Sequence, residues 1–452
     1  MAVDQSSINS LAQKDRRYLW HHMSGYSETA SRLIVTEANG SWVTDHTGKR
    51  YFDAMSGLWC VNVGYGRREM AQAAYEQLNA MPYYPLTQSH PPAIELAEKL
   101  SQWLGGDYVI LFSNSGSEAN ETAFKAIRQY HAIKGKPSKT KFIARYRGYH
   151  GNSLGAMSAT GQAVRKYQYE PAAGGFLHVS PPDSYRRPEG QTIEQFQLEC
   201  ALSIERTIVW EGEDTIAGII MEPAITGGGI IVPHPIYMKK VQEICEKYGV
   251  LLVIDEVICG FGRTGKAFGH MHFDVKPDIV TMAKGLTSGY LPLSATAVRR
   301  EIFEAFDESV PYGNFRHVNT FGGNPAACAL ALKNLEIMER ENLIDRGREL
   351  GERLQEEMEE IRDHERVGDV RGFGFLMGIE LVADKASKTP LTPDRIAQVV
   401  GYCKEHGVLI GKNGDTTPGF NNILQLCPPL TTSEDELLFV ARTVKEAIRQ
   451  LT

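Results

Sequence analysis

The chain has 452 residues, 42% of them hydrophobic and 23% charged, and its 48 basic and 55 acidic side chains leave a net charge of −7. This is the composition of a globular protein without the basic field a nucleic acid would need. The apolar runs are too short to span a membrane, and the first twenty residues, MAVDQSSINSLAQKDRRYLW, carry neither an export core nor an arginine-rich targeting pattern, so a cytoplasmic protein is expected.

In chain order, residues 1–70 contain RLIVTEANGSWVTDHTGKRYFDAMSG, where Asn39-Gly40 and Thr47-Gly48 punctuate β-rich pieces and predict a small antiparallel meander. Over residues 71–330 the strand-like runs YVILF (108–112), KFIARY (141–146), IAGIIMEP (216–223), VLLVIDEV (250–257) and DIVTMAKG (278–285) alternate with amphipathic helices such as ELAEKLSQWL and YMKKVQEICEKYG. Near-continuous apolar strands separated by helices predict an α/β fold with a mostly parallel sheet covered on both faces. Beyond 330, one long helix, ALALKNLEIMERENLIDRGRELGERLQEEMEEI, precedes strands in GFGFLMGIELV and ILQLCPPL. This predicts a second, smaller α+β domain over 331–452. The N-terminal segment 1–70 is expected to join it, making the small domain discontinuous. Seven scattered cysteines without a CxxC pair fit reduced, buried thiols better than a disulfide framework or a zinc site.

In open α/β sheets ligands bind beyond the carboxyl ends of the strands, and several chemically capable groups fall there. The first strand runs into FSNSGSEANETAF, where Ser115, Gly116 and Ser117 open a helix. Free N–H groups and the helix dipole would attract a phosphate, although plain capping, with Ser117 as the cap, explains the same residues. After the second strand, Tyr149 and His150 sit in a glycine-flanked loop, where the tyrosine could stack on a flat heteroaromatic ring or simply pack at the surface. Glu222 closes the third strand and Asp255 the fourth, with Val257 on the same side of the extended chain as Asp255.

Lys284 follows the fifth strand in a glycine-rich turn. A carboxylate at one strand mouth and a lysine at the next are the pair that pyridoxal phosphate chemistry needs. The amine forms a Schiff base with the cofactor aldehyde, and the carboxylate keeps the pyridine nitrogen protonated. Thr320, in HVNTFGGNP, adds a hydroxyl at a turn. The triple glycine 227–229 opens no helix and is no dinucleotide fingerprint. The acid pair Asp255-Glu256 lacks a GxxxxGK[ST] partner, and His270 and His272 do not form HExxH, so no metal is expected.

SNSGSEAN, the YHG triplet, the EP dipeptide at 222, IDEVICGFGRTG, the AKG lysine and TFGGNP resemble the class III aminotransferases in order and spacing, from YFDAMSGLW to LCPPL. The resemblance implies the fold type I pyridoxal phosphate architecture, with a seven-stranded, mostly parallel sheet in the large domain. It also implies a homodimer with active sites at the subunit interface. Gly116 and Ser117 would hold the phosphate, Tyr149 would stack on the ring, Asp255 would meet the ring nitrogen, and Thr320 would reach the phosphate of the neighbouring subunit. Lys284 would be the Schiff-base lysine.

Within that family the chain looks most like the ω-amine or ω-amino acid:pyruvate group, including taurine:pyruvate enzymes. Trp59, in SGLW, falls where relatives use an aromatic to wall the substrate pocket, and Trp20, in YLWHHM, is expected to help. The rival is the biotin-pathway enzyme that aminates 8-amino-7-oxononanoate with S-adenosylmethionine. Against it, Asn152 stands where that enzyme has an acid. The C-terminal arginine of relatives falls on Gly411, beside Lys412, in a loop of residues 413–422 that is longer than a tight turn needs. Lys412 would meet a carboxylate or sulfonate as a point charge, without the arginine fork. Decarboxylation, racemisation or aminomutase chemistry on the same cofactor, and a nucleotide-binding α/β protein, are the competing functions.

Overall fold

The computed structural model describes residues 5–29, 32–413 and 418–451. Strands β1 (Val35–Asn39), β2 (Trp42–Asp45) and β3 (Arg50–Asp53) form the antiparallel meander, and its turns place Gly40 and Gly48 at φ of 58° and 88°. These are left-handed values that glycine adopts without a Cβ penalty.

The central sheet holds seven strands: β4 (Tyr108–Ser113), β5 (Lys141–Arg145), β6 (Phe176–Val179), β7 (Ile216–Met221), β8 (Leu251–Asp255), β9 (Ile279–Met282) and β10 (Ser294–Arg299). Their order is β4-β10-β9-β8-β7-β5-β6, and only β10 runs against its neighbours. β7 is buried along its whole length and β8 along all but its first residue, which is why both read as continuous apolar runs. The architecture is that of the fold type I pyridoxal phosphate enzymes.

A third sheet follows: β11 (Val367–Phe373), β12 (Leu376–Asp384), β13 (Thr389–Pro390), β15 (Gly411–Lys412) and β16 (Ile423–Leu426), in the order β11-β12-β16-β15 with β13 on β12. The intervening β14 (Val408–Leu409) leaves this sheet and pairs in parallel with β3, Val408 facing Phe52 and Leu409 facing Asp53. The N-terminal meander is thus extended by a strand from near the C-terminus.

Two sequence expectations change. The single long helix is two, Pro325–Arg340 and Leu343–Glu359, broken where Asn342 takes φ 49°. Glu341, at the break, receives both guanidinium ends of Arg67 at 2.6 and 2.7 Å, so the chain turns to meet a partner in the first seventy residues. The sheet also has two strands, β6 and β10, that the apolar pattern did not announce. Among the described residues no helix is long and apolar enough to cross a membrane.

Candidate active site

Six of the seven strands end on one side of the sheet, and five of them, β4, β5, β7, β8 and β9, deliver a residue to the site there. After β4 the helix Gly116–Ile133 begins with Ser115 as its cap: Ser115 Oγ accepts from Glu118 N at 3.3 Å, and the Glu118 carboxylate accepts from Ser115 N at 3.0 Å. This corrects the expected cap, Ser117. Ser117 instead stands in the first turn, where its N–H and that of Gly116 have no intrahelical partner. Its hydroxyl donates to Asn152 Oδ1 at 2.9 Å and accepts from Asn152 N at 3.1 Å. A Cβ on Gly116 would stand 3.0 Å from Val257, so the glycine lets the helix end close over that valine.

Beyond β5, the loop carrying Tyr149 and His150 is held by Glu222, whose Oε1 accepts from Tyr149 N at 3.1 Å while Oε2 accepts from Thr226 N and Oγ1 at 3.0 and 2.6 Å. At the end of β8, Asp255 Oδ2 accepts from His150 Nδ1 at 2.8 Å and Asn120 Nδ2 at 2.9 Å, and Oδ1 accepts from Val257 N at 3.1 Å. An ionised carboxylate only accepts, so the His150 proton is assigned to Nδ1. Lys284 follows β9 at φ 46°, a left-handed conformation costly for a residue with a side chain. Its amine makes no hydrogen bond or ion pair among the described residues.

Gly116, Ser117, Tyr149, His150, Glu222, Asp255, Val257 and Lys284 line one cavity of about 150 Å³. Eight expected residues therefore meet in one place. The donor set suits pyridoxal phosphate: unpaired helix N–H groups for a phosphate, a carboxylate with acceptor capacity left for a ring N–H, and an amine without a protein partner. Burial pushes the Tyr149 phenol above its usual value, Arg165 pulls it down and Asp255 raises it further.

Five expected residues lie outside that cavity's lining: Ser115, which caps the helix as described above, and four placed elsewhere. Trp59 is buried in an apolar cluster, at the end of a turn (Ser56–Trp59) whose Ser56, Gly57 and Trp59 all have positive φ. Trp20 is 87% exposed and donates only to Ser24 O, at 2.9 Å. Lys412 is exposed on β15. Residues 414–417 of the loop after it lie outside the described residues. Thr320 is also exposed, and its carbonyl accepts from Tyr83 OH at 2.9 Å.

Sequence reasoning missed Arg165. Its guanidinium carbon lies 5.3 Å from the Tyr149 ring centroid. Nη1 touches Met23 Sδ at 2.9 Å, Nε is buried without a partner, and no carboxylate meets the group among the described residues. It reaches Tyr149 because Gly161 and Gln162, just before it, bond to the backbone of Arg147 and Gly148. The only clue in sequence was a basic residue about fifteen positions beyond the YHG triplet.

The family profile described as Aminotransferase class-III matches residues 24–448. The taurine–pyruvate aminotransferase of Bilophila wadsworthia is 42% identical over 441 residues, covering 97% of this chain and 96% of that one. A Bacillus anthracis aminotransferase structure superposes with a TM-score of 0.96 at 60% identity over the whole of both chains. The ω-transaminase of Pseudomonas jessenii in complex with PMP gives 0.93 at 37% identity over 97% of each. With the strand-end site described above, these place the chain in its family: it belongs to the class III aminotransferases, pyridoxal phosphate-dependent transaminases.

Proposed function

We propose that this transaminase moves an amino group from an ω-amine or ω-amino acid, with acid-bearing donors such as taurine or β-alanine preferred, to pyruvate in a ping-pong cycle. The observation that carries this reading is Arg165, a guanidinium beside Tyr149 that has no acidic partner among the described residues. A carboxylate or sulfonate is the group that such a fork binds in two-point fashion. The name of the Bilophila relative supports the same substrate class.

Pyridoxal phosphate, when bound, supplies an aldehyde carbon that takes up the amino group and a ring that withdraws electrons from the donor carbon. Gly116 and Ser117 would hold its phosphate, Tyr149 and Val257 would bracket its ring, Asp255 would accept from its ring nitrogen, and Lys284 Nζ would anchor its aldehyde. The Lys284 amine, once released, would serve as the base that takes a proton from the donor carbon and the acid that gives it back. Arg165 orients the donor by its far acid group, then the keto acid by its carboxylate.

The chain works as a homodimer, with Thr320 reaching the phosphate in the neighbouring subunit. Support comes from the exposed Val318, Phe321, Tyr83 and Tyr84 around Thr320, an apolar surface of the kind that marks an interface. The domain division at residues 70 and 330 is supported by the β3–β14 pairing. The seven free cysteines, six of them buried, support a cytoplasmic location.

The test mixes yellow holoenzyme with taurine, β-alanine, putrescine, 1-phenylethylamine or S-adenosylmethionine. The colour should bleach with acid-bearing ω-amines and return with pyruvate. Bleaching without recovery by any keto acid rules out this cycle, and bleaching only by S-adenosylmethionine moves the reading to the biotin-pathway reaction.

A further inference from the structure

The Asp255 carboxylate is gripped by an amide that the cycle proposed above does not use. Asn120 lies one turn into the helix Gly116–Ile133 and is 1% exposed. Its Nδ2 donates to His150 O at 2.6 Å and to Asp255 Oδ2 at 2.9 Å, and its Oδ1 accepts from Thr281 Oγ1 at 2.7 Å. Thr281 is fully buried on β9, directly opposite Asp255 in the register.

The amide has only one workable orientation. A backbone carbonyl cannot donate, so the NH₂ must face His150 O, and the oxygen is left to accept the Thr281 hydroxyl. The same geometry counts out the carboxylate. Of its roughly four acceptor positions, two on Oδ2 are filled by Asn120 and His150 and one on Oδ1 by Val257 N. One remains, on Oδ1, and Asp255 lines the cavity.

We propose that Asn120, oriented by Thr281, is a positioning residue that fixes which Asp255 oxygen meets the cofactor ring nitrogen. Asparagine is required because an aspartate at this position would turn a second acceptor against both His150 O and Asp255 Oδ2. The inference rests on the Asp255 role given above.

The experiment uses the full chain and pyridoxal phosphate itself. Apoenzyme of wild type, Asn120→Ala, Asn120→Asp and Thr281→Val is titrated with the cofactor. The visible spectrum of each holoenzyme is then followed against pH, with Asp255, His150, Glu222, Tyr149 and Lys284 as the ionisable groups around the cavity. Asn120→Ala should weaken cofactor binding about tenfold to a hundredfold, as expected for losing a hydrogen bond to a charged group. It should also displace the spectral titration and lower kcat with little change in donor KM, and Asn120→Asp should do more.

Thr281→Val keeps the shape and removes only the hydroxyl. It should give a smaller change of the same kind that disappears in an Asn120→Ala background, and it decides the matter alone if the Asn120 variants do not fold. Wild-type cofactor affinity and spectra in Thr281→Val, or in a folded Asn120→Ala, overturn the proposal. A wild-type enzyme that borohydride cannot reduce onto Lys284 would overturn the Asp255 and Lys284 roles instead, so the two failures are distinguishable.

Discussion

Arg165 stands over Tyr149, guanidinium carbon 5.3 Å from the ring centroid, with no acid of the described chain to neutralise it. A cation held against the aromatic of a cofactor site has a ligand as its natural partner. Replacing Arg165 with Ala should raise KM for pyruvate and for taurine about tenfold to a hundredfold. The bleaching rate with 1-phenylethylamine, which has no acid group, should change little. Arg165→Lys should recover only part, since the planar fork is lost. Steady-state kinetics on the two donor classes decide it, and an equal loss on both would remove Arg165 from substrate binding.

Glu380 is fully buried on β12 and takes Arg186 Nε and Nη2 at 2.9 and 2.5 Å and Arg371 Nη1 at 2.9 Å. Burial works against the Arg371 charge, but Glu380, Asp183 and Asp369 outweigh it and hold its pKa above the usual arginine value. Removing one partner of such a network leaves buried charge uncompensated. Glu380→Gln should therefore destabilise by about 3 kcal/mol, read in denaturant melts of the apoenzyme.

Burial lowers the His178 pKa from 6.5 to about 4, with Lys166 adding to the shift. The neutral ring bonds to Ala159 O at 3.1 Å. Because the unfolded chain takes up a proton here that the folded one refuses, stability is full above pH 6.5 and falls as the pH drops toward 4. The slope from this one group is at most about 1.4 kcal/mol per pH unit. His178→Gln should flatten the acid limb of a stability-against-pH curve, and an unchanged limb would assign the acid sensitivity elsewhere.

Gly374 turns the β11–β12 hairpin at φ 58°, and a Cβ there would run into the Thr264 backbone. Gly374→Ala combines a left-handed penalty with a clash against main chain, so a loss of at least about 2 kcal/mol is expected. Gly48 has φ 88° but nothing within 4 Å of its Cβ position, so Gly48→Ala should cost only the conformational part. Thermal melting of the two variants side by side separates the contributions.

The strands that carry the site were legible because burial on both faces writes itself as an unbroken apolar run, as in Ile216–Met221 and Leu251–Asp255. β10 was not, since its SATAVR alternates small apolar with polar residues where the helix Gly116–Ile133 lies close; Thr296 Oγ1 donates to Ala119 O at 2.9 Å. β6 was hidden as a short, half-buried edge. Asp255 and Lys284 stood out because each follows an apolar strand. Asn120 carried no signal of its own, and Arg165 looked like any basic residue of a loop. The partners of Asn120, Thr281 and Asp255, are distant in sequence, and Tyr149 lies beyond any helical or strand period from Arg165, so no local pattern encodes either meeting. The break at Asn342 escaped notice because both flanking segments are strong helix formers, and the pairing of Glu341 with Arg67 is tertiary.

The pairing of β3 with β14 sets a constraint on birth as well as on shape. On the ribosome the meander emerges before the central sheet, but the edge that Phe52 and Asp53 offer stays open until Val408 and Leu409 have been translated. Vectorial synthesis can therefore assemble the central sheet early, while the opening strands wait with an unfilled edge. A ribosome stalled before residue 408 would carry a chain with its catalytic layer largely built and its first sheet still sticky, a ready client for chaperones.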